Sequence, residues 1–324
     1  MSRVRFPLLD ALRCVASLAV AFRHVRGEYV LDTALGVPLF LVIMLALTAR
    51  GTGDEPIGRY AAEKAARLLV PWVRWSLVYV ALAVFVDTAR GRGPWAGLEP
   101  RMLFYGGHGA LWFLPCSFVA VLLVRSARGL VERVPALAFA AAGVLVSWAI
   151  ERWRLALPLG MPWGAWLRAA PAIPWGLAVA RASLAPGKRD RAVGLALLGL
   201  VAAAAATLAP DLSSAEDPLR RFALAVPLAC LGFAWRPAVP RVVLALSTLT
   251  FGIYLVHPLF AKAFATAFEV ARWPALLHLG AVWFSSAVAV LALRRLPVRL
   301  TECWSGSQPA PIVRMAELQR RRAA

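Results

Sequence analysis

The chain has 324 residues, of which 60% are hydrophobic and only 16% charged, with 36 Lys and Arg against 17 Asp and Glu. A mean hydropathy of +0.68 excludes an ordinary soluble domain and fits an all-α, polytopic transmembrane helical bundle. The formal charge of +19 and pI near 11.4 do not point to nucleic acid, because the basic residues fall in short loops between apolar runs, where the positive-inside rule expects them.

The first apolar segment, about 8–26, carries its charges in a pattern. Arg13 and His24 are eleven residues apart, which at about 100° per residue is three turns plus roughly 20°, so they share a face about 16 Å apart along the axis. Asp10 and Ser17 lie on the same stripe. Ionisable groups at membrane depth normally face a protein interior or a watery cavity, so the stripe is read as one wall of a polar site. Glu28, one turn beyond His24, is placed to orient its second nitrogen. Because Asp10 and Arg13 interrupt this run, no cleavable signal peptide is expected.

Nine further apolar segments follow at about 35–49, 68–87, 111–124, 134–150, 163–180, 192–209, 219–235, 241–260 and 274–293, which makes about ten helices. Most of the 36 Lys and Arg fall in alternate loops and the tails, among them Arg50, Arg59, Lys64, Arg67, Arg125, Arg128, Lys188, Arg189 and Arg191. That asymmetry predicts both termini in the cytoplasm and a multi-pass protein of the inner cell membrane. The domain expectation is a membrane-embedded unit over 1–296 and a basic cytoplasmic tail over 297–324.

The inner loop after segment two ends in Lys64 and Arg67, three apart and adjacent on one helical face. Such a pair suits a phosphate-bearing ligand, since Arg offers a planar fork and Lys a point charge. The Gly- and Pro-containing stretch 88–110 fits a lid or a re-entrant segment. It leads through Gly106-Gly107-His108-Gly109 to Trp112 at the mouth of segment four. In segment nine, Ser247, Thr250, Tyr254 and His257 make a polar face within a spanning helix. His278 in segment ten reads as a packing residue. The four cysteines, Cys14, Cys116, Cys230 and Cys303, have no paired spacing and read as small apolar residues. HExxH, phosphate-loop, GxGxxG and GxSxG motifs are absent, so no metal site and no soluble-type serine hydrolase is expected.

These motifs together resemble a known family. Leu9-Asp10-Ala11-Leu12-Arg13 with His24 is similar to the opening LDxLR…H of the acyltransferase 3 family of multi-spanning membrane proteins. Gly36-Val37-Pro38-Leu39-Phe40 resembles its GVxLFF, and Arg67-Leu68-Leu69-Val70-Pro71-Trp72 its R[IL]LxP[YW]. Leu111-Trp112-Phe113-Leu114 and Phe251-Gly252-Ile253-Tyr254-Leu255-Val256-His257-Pro258 resemble its LWFL and S[FY]GIYLxHP stretches. The chain departs from the pattern at Ile43-Met44-Leu45-Ala46, where a small Ser-Gly pair is usual, and at Cys14, where Gly is usual.

The resemblance implies transfer of an acyl group, acetyl or succinyl, from acyl-CoA to a hydroxyl of a carbohydrate or related acceptor. Acyl-CoA is then a co-substrate (acetyl-CoA or succinyl-CoA), with no cofactor bound permanently. His24, Arg13 and Asp10 would carry the chemistry, Lys64, Arg67 and Arg13 would hold the donor, and Ser17, Glu28, Trp112, Ser247, Tyr254 and His257 would support the site. His24 would act either as a base or through an acyl-histidine. The alternatives are an exporter or flippase of a glycan or lipid-linked sugar, and a non-catalytic partner in a polysaccharide machine.

Overall fold

The structure, a computed structural model, describes residues 5–26, 35–51, 55–156, 159–208, 217–268 and 273–295. Among them every regular element is helical. In chain order these are α1 (Pro7–Arg26), α2 (Val37–Ala49), α3 (Ile57–Ala89), the short α4 (Met102–Tyr105), α5 (Phe113–Ser126), α6 (Arg128–Arg133), α7 (Ala136–Ala156) and α8 (Trp163–Ala169). They continue with α9 (Ala172–Ser183), α10 (Lys188–Ala205), α11 (Pro218–Ala234), α12 (Arg241–Ser247), α13 (Thr250–Ala267) and α14 (Ala275–Leu293). Two 3-10 turns, Gly109–Trp112 and Ala206–Leu208, lead into α5 and extend α10. The Glu28 position and the tail beyond 295 lie outside the described residues.

Each apolar segment of the sequence falls on a helix, but a helix is not always a membrane crossing. Five helices are long and apolar enough to span: α3, α5 with its 3-10 turn, α7, α10 with its extension, and α14. The α12–α13 pair, bent by 67°, makes a sixth if counted as one span. Helix α1 carries Asp10, Arg13, Arg23 and Arg26 along its 20 residues, and α2 has only 13 residues.

Helix α2 is short and packs mostly inside the bundle. Leu39, Leu41, Val42, Ile43, Leu45 and Ala46 are all 2% exposed or less, so most of its surface is protein core, with Leu47 at 41% marking the one strongly exposed position among its large residues. The family's small pair is absent from α2, and Gly176 of α9 supplies the close approach instead. A Cβ at Gly176 would lie 2.7 Å from the Leu45 Cβ. Gly176→Val is therefore expected to destabilise the bundle by about 1–3 kcal/mol through overpacking. Thermal unfolding in detergent checks this, and an unchanged midpoint would show that α2 and α9 have room to separate.

Two sequence segments are broken in the structure. Segment six divides at Ala170 and Pro171 into α8 and α9, since Pro171 and Pro174 lack the N–H that a continuous helix needs. Segment nine breaks at 248–249. There Ser247, Thr248 and Thr250 each donate a hydroxyl hydrogen bond to the carbonyl three residues back, at 2.9, 2.7 and 2.9 Å. Such local bonds offer the backbone an alternative to the helical ladder. Arg294 at the end of α14 donates to the Thr248 carbonyl at 2.6 Å and so satisfies a group left at the break.

Segment three, in contrast, begins early. Helix α3 starts at Ile57 rather than near 68 and runs through Pro71 for 33 residues. At 1.5 Å per residue it is about 50 Å long, roughly 20 Å more than a hydrocarbon core needs. The extension carries Arg59, Lys64 and Arg67.

Candidate active site

Three of the four histidines converge at the end of α1. The His24 ring lies 4.9 Å from that of His257 in a T-shaped contact and 6.1 Å from that of His108. His257 comes from α13 and is 1% exposed. Its Nδ1 sits 2.8 Å from the Tyr254 carbonyl and 3.2 Å from the Ile253 carbonyl. Both neighbours are acceptors, so Nδ1 bears the hydrogen and Nε2 is the bare nitrogen. That Nε2 is buried and has no hydrogen-bond partner.

In the sequence His108 stands within the glycine-rich stretch that leads to Trp112. Its placement depends on two glycines. Gly106 has φ +87°, and a Cβ on Gly107 would fall 2.2 Å from the Ser76 carbonyl oxygen of α3. This tight seat brings the His108 ring to 4.9 Å from Tyr79. The His108 Nδ1 accepts a hydrogen bond from the Ala110 N–H at 3.1 Å, which caps the 3-10 turn. Burial holds the His108 imidazole below the ordinary histidine range, and Lys262 pushes it the same way. It is thus neutral at neutral pH.

Two tyrosines tie the cluster to the bundle. Tyr254 donates to the Ala110 carbonyl, and Tyr79 donates to the Leu255 carbonyl at 2.9 Å. Both clamp α13, which carries His257, against the elements that carry His108. Trp112, Tyr254 and His24 then line a cavity of about 240 Å³. Its remaining walls come from Val20 and Arg23 of α1, Val37, Pro38 and Leu41 of α2, Gly109 and Ala110 of the 3-10 turn, Met161, Ala165, Arg168 and Ala169, and Arg221 and Phe222 of α11. The C-terminal end of α1 and the N-terminal ends of α2, α5 and α11 therefore meet at this end of the bundle.

Arg13 and Asp10 sit at the other end of α1. The Asp10 carboxylate is 2.9 Å from the Arg5 Nε and 3.8 Å from an Arg13 nitrogen. Arg13 and Arg67 lie close enough for their charges to oppose one another. Lys64 Nζ stands 5.0 Å from the Tyr60 ring centroid, and the Arg125 guanidinium 5.4 Å from the same ring. The structure thus gathers Arg13, Lys64, Arg67 and Arg125 at one end of the bundle and the histidines at the other.

Two expected supporting residues point elsewhere. Ser17 accepts a hydrogen bond from the Trp283 Nε1 at 2.8 Å and joins α1 to α14. Ser247 belongs to the break between α12 and α13. His278 is 3% exposed, and its ring packs near that of Trp273. Cys14, Cys116 and Cys230 are buried free thiols. Among the described residues no group of His, Cys, Asp and Glu is arranged to hold a metal ion.

Compared with known proteins, the chain matches no curated protein and no solved structure. A family model does match it. This is the acyltransferase domain of the acyltransferase 3 family, over residues 6–294. The match takes in every helix described above, from α1 to α14, and the chain belongs to that family of membrane acyltransferases.

Proposed function

We propose that this chain is an integral-membrane O-acyltransferase that moves an acetyl or succinyl group from acyl-CoA to a hydroxyl of a carbohydrate or related acceptor. The observation that carries this reading is His24, which lines a cavity on one side and meets His257 on the other. The bare Nε2 of His257 is an acceptor able to take the N–H of His24. The other His24 nitrogen is then free to act as a base. The acceptor oxygen attacks the thioester carbonyl as His24 takes its proton. The C–O bond forms, the C–S bond breaks, and the imidazolium returns the proton to the departing thiolate. His257 is a positioning residue in this scheme. Tyr254 holds the Ala110 carbonyl and fixes the wall opposite.

In the same proposal both termini are cytoplasmic, the bundle of about ten helical segments sits in the inner membrane with its shorter helices packed inside it, and 297–324 form a cytoplasmic tail. The donor's phosphates rest near Lys64, Arg67 and Arg13, and its thiol arm spans the roughly 16 Å to His24. The acceptor enters from the opposite side.

Topology gives the first test. In a background without native cysteines, Cys placed at Gly58 or Lys188 is expected to escape membrane-impermeant thiol reagents in intact cells. Cys at Ala96 or Ser214 should label. Labelling at 58 from outside would reverse the orientation and remove the donor route. Vesicles give the second test. Radiolabelled acetyl-CoA added to inside-out vesicles should acylate the acceptor, and the same donor outside right-side-out vesicles should not. Sugar translocation with no use of acyl-CoA in either preparation would favour the exporter.

A further inference from the structure

Three arginines gather around one pair of rings at the end of the bundle away from the histidines. Phe6, just before α1, meets Phe233 of α11 edge to face, with ring centroids 5.1 Å apart. The Arg50 guanidinium, at the C-terminal end of α2, lies 5.3 Å from the Phe6 ring centroid and 5.6 Å from that of Phe233. Arg236, just past α11, lies 4.9 Å from the Phe6 ring. Arg191, at the start of α10, stands close enough to Arg50 for their charges to oppose one another, and so does Arg236.

None of the three forms an ion pair with a described residue. The acids on the surrounding elements are engaged elsewhere or unpaired. Asp10 meets Arg5 and Arg13, Asp190 lies over Gly187, and Glu132 of α6 is exposed. Glu151, in the C-terminal third of α7, and Asp217, at the opposite end of α11 from Phe233, are fully buried. What the arginines do touch is neutral. Arg50 donates to the Ser183 hydroxyl, Arg191 donates to the Ala185 carbonyl at 3.3 Å, and the rings take the rest. The Arg191 Nε–H is buried without an acceptor.

Local electrostatics run against this arrangement. Helix α10 opens Lys188-Arg189-Asp190-Arg191, which sets three cations at the positive end of its dipole, and no side chain caps that end. An anion is the group that such a terminus favours. Positive-inside topology accounts for cations in a watery loop. It does not account for a partly buried guanidinium on two rings with two like charges beside it.

We propose that Arg50, Arg191 and Arg236, with the first turn of α10, form an oxyanion site for a phosphate group, built from residues other than the Lys64–Arg67 pair. Three guanidinium forks supply enough donors to surround one phosphate. The phosphate can come from an acidic phospholipid at the membrane surface or from the 3′-phosphate at the nucleotide end of acyl-CoA. The site stands on the arginines themselves, and only the second source rests on the acyltransferase reading.

The test uses the full-length protein in lipid nanodiscs, with an Arg191→Gln/Arg236→Gln variant set against a Lys64→Gln/Arg67→Gln comparator. Arg50 stays in place because it also holds Ser183. In neutral phosphatidylcholine discs, equilibrium binding compares CoA with dephospho-CoA, which lacks the 3′-phosphate. In discs of mixed phosphatidylcholine and phosphatidylglycerol, native mass spectrometry identifies the lipids that stay with the released protein. Wild type should favour CoA or phosphatidylglycerol by about tenfold or more, the scale of a charge-assisted hydrogen bond. The preference should fall below about threefold in Arg191→Gln/Arg236→Gln and survive in the comparator. Arg236→Lys alone, which keeps the charge, should retain it and separates lost charge from misfolding. Loss of the CoA preference assigns the phosphate to the donor, and loss of the lipid preference assigns it to the membrane. A wild type with neither preference, an Arg191→Gln/Arg236→Gln protein that keeps what wild type shows, or equal loss in both double variants overturns the inference. Discs that bind no CoA at all count against the acyltransferase reading and leave the lipid arm to decide the site.

Discussion

His24→Ala is expected to lower acyl transfer by about 10²–10⁴-fold, the scale that general acid–base catalysis contributes. Expression and donor binding should change little, because the side chain faces a cavity on one side and the Arg13 end of α1, where the donor phosphates are proposed to rest, is three turns away. His257→Ala should also lower turnover, through the orientation of His24 rather than by removal of the base. It is expected to retain more activity than His24→Ala and to leave the donor KM unchanged. The two variants compared in one acyl-transfer assay separate the roles. Near-wild-type turnover in His24→Ala would end the mechanism.

Arg67→Ala is expected to weaken acyl-CoA binding by roughly 10–150-fold, which corresponds to the loss of a charge-assisted hydrogen bond worth about 1.5–3 kcal/mol. Lys64→Ala should cost less. Its ammonium is shared with the Tyr60 ring, and a point charge cannot present two parallel donors to a phosphate. Arg13→Ala should impair both binding and turnover. It stands by Arg67 at the end proposed for the donor phosphates, and it belongs to the helix that carries His24. Equilibrium binding of acetyl-CoA in detergent decides the matter. If the Lys64→Ala/Arg67→Ala double variant binds as wild type does, the pair serves only to orient the chain in the membrane.

What the sequence made legible is what lies within one helical period. Arg13 and His24 share a face because eleven residues return to the same side of a helix, and that follows from α1 alone. Lys64 and Arg67 are legible for the same reason. The five family stretches add long-range order that the period of one helix cannot, and the structure brings three of their residues, Trp112, Tyr254 and His257, to the neighbourhood of His24. Residues joined only by packing were not legible. His108 reaches His24 because Gly106 and Gly107 press the loop onto α3. Arg168 and Arg221 reach the cavity because the ends of α8 and α11 meet there.

The misread residues have local explanations. Ser247 and Thr250 looked like a polar face of a continuous helix, but their hydroxyls are spent on backbone carbonyls at a 67° bend. Ser17 lies on the Arg13–His24 stripe by angle, yet the neighbour on that side at its level is Trp283 of α14. A helical wheel gives the direction of a side chain and not the identity of what packs against it. The same limit applies to α2. Its large residues at 43–46 are accommodated by Gly176, which is 130 residues away in sequence from Ala46.

The most direct test of the central claim is CoA-thiol release by the purified protein in nanodiscs, given acetyl-CoA or succinyl-CoA together with envelope glycans from its host. The wild type is expected to release CoA and to leave one ester on the glycan for each thiol freed, with His24→Ala silent under the same conditions. No CoA release and no new ester with either donor, from protein that is folded and inserted, would contradict it.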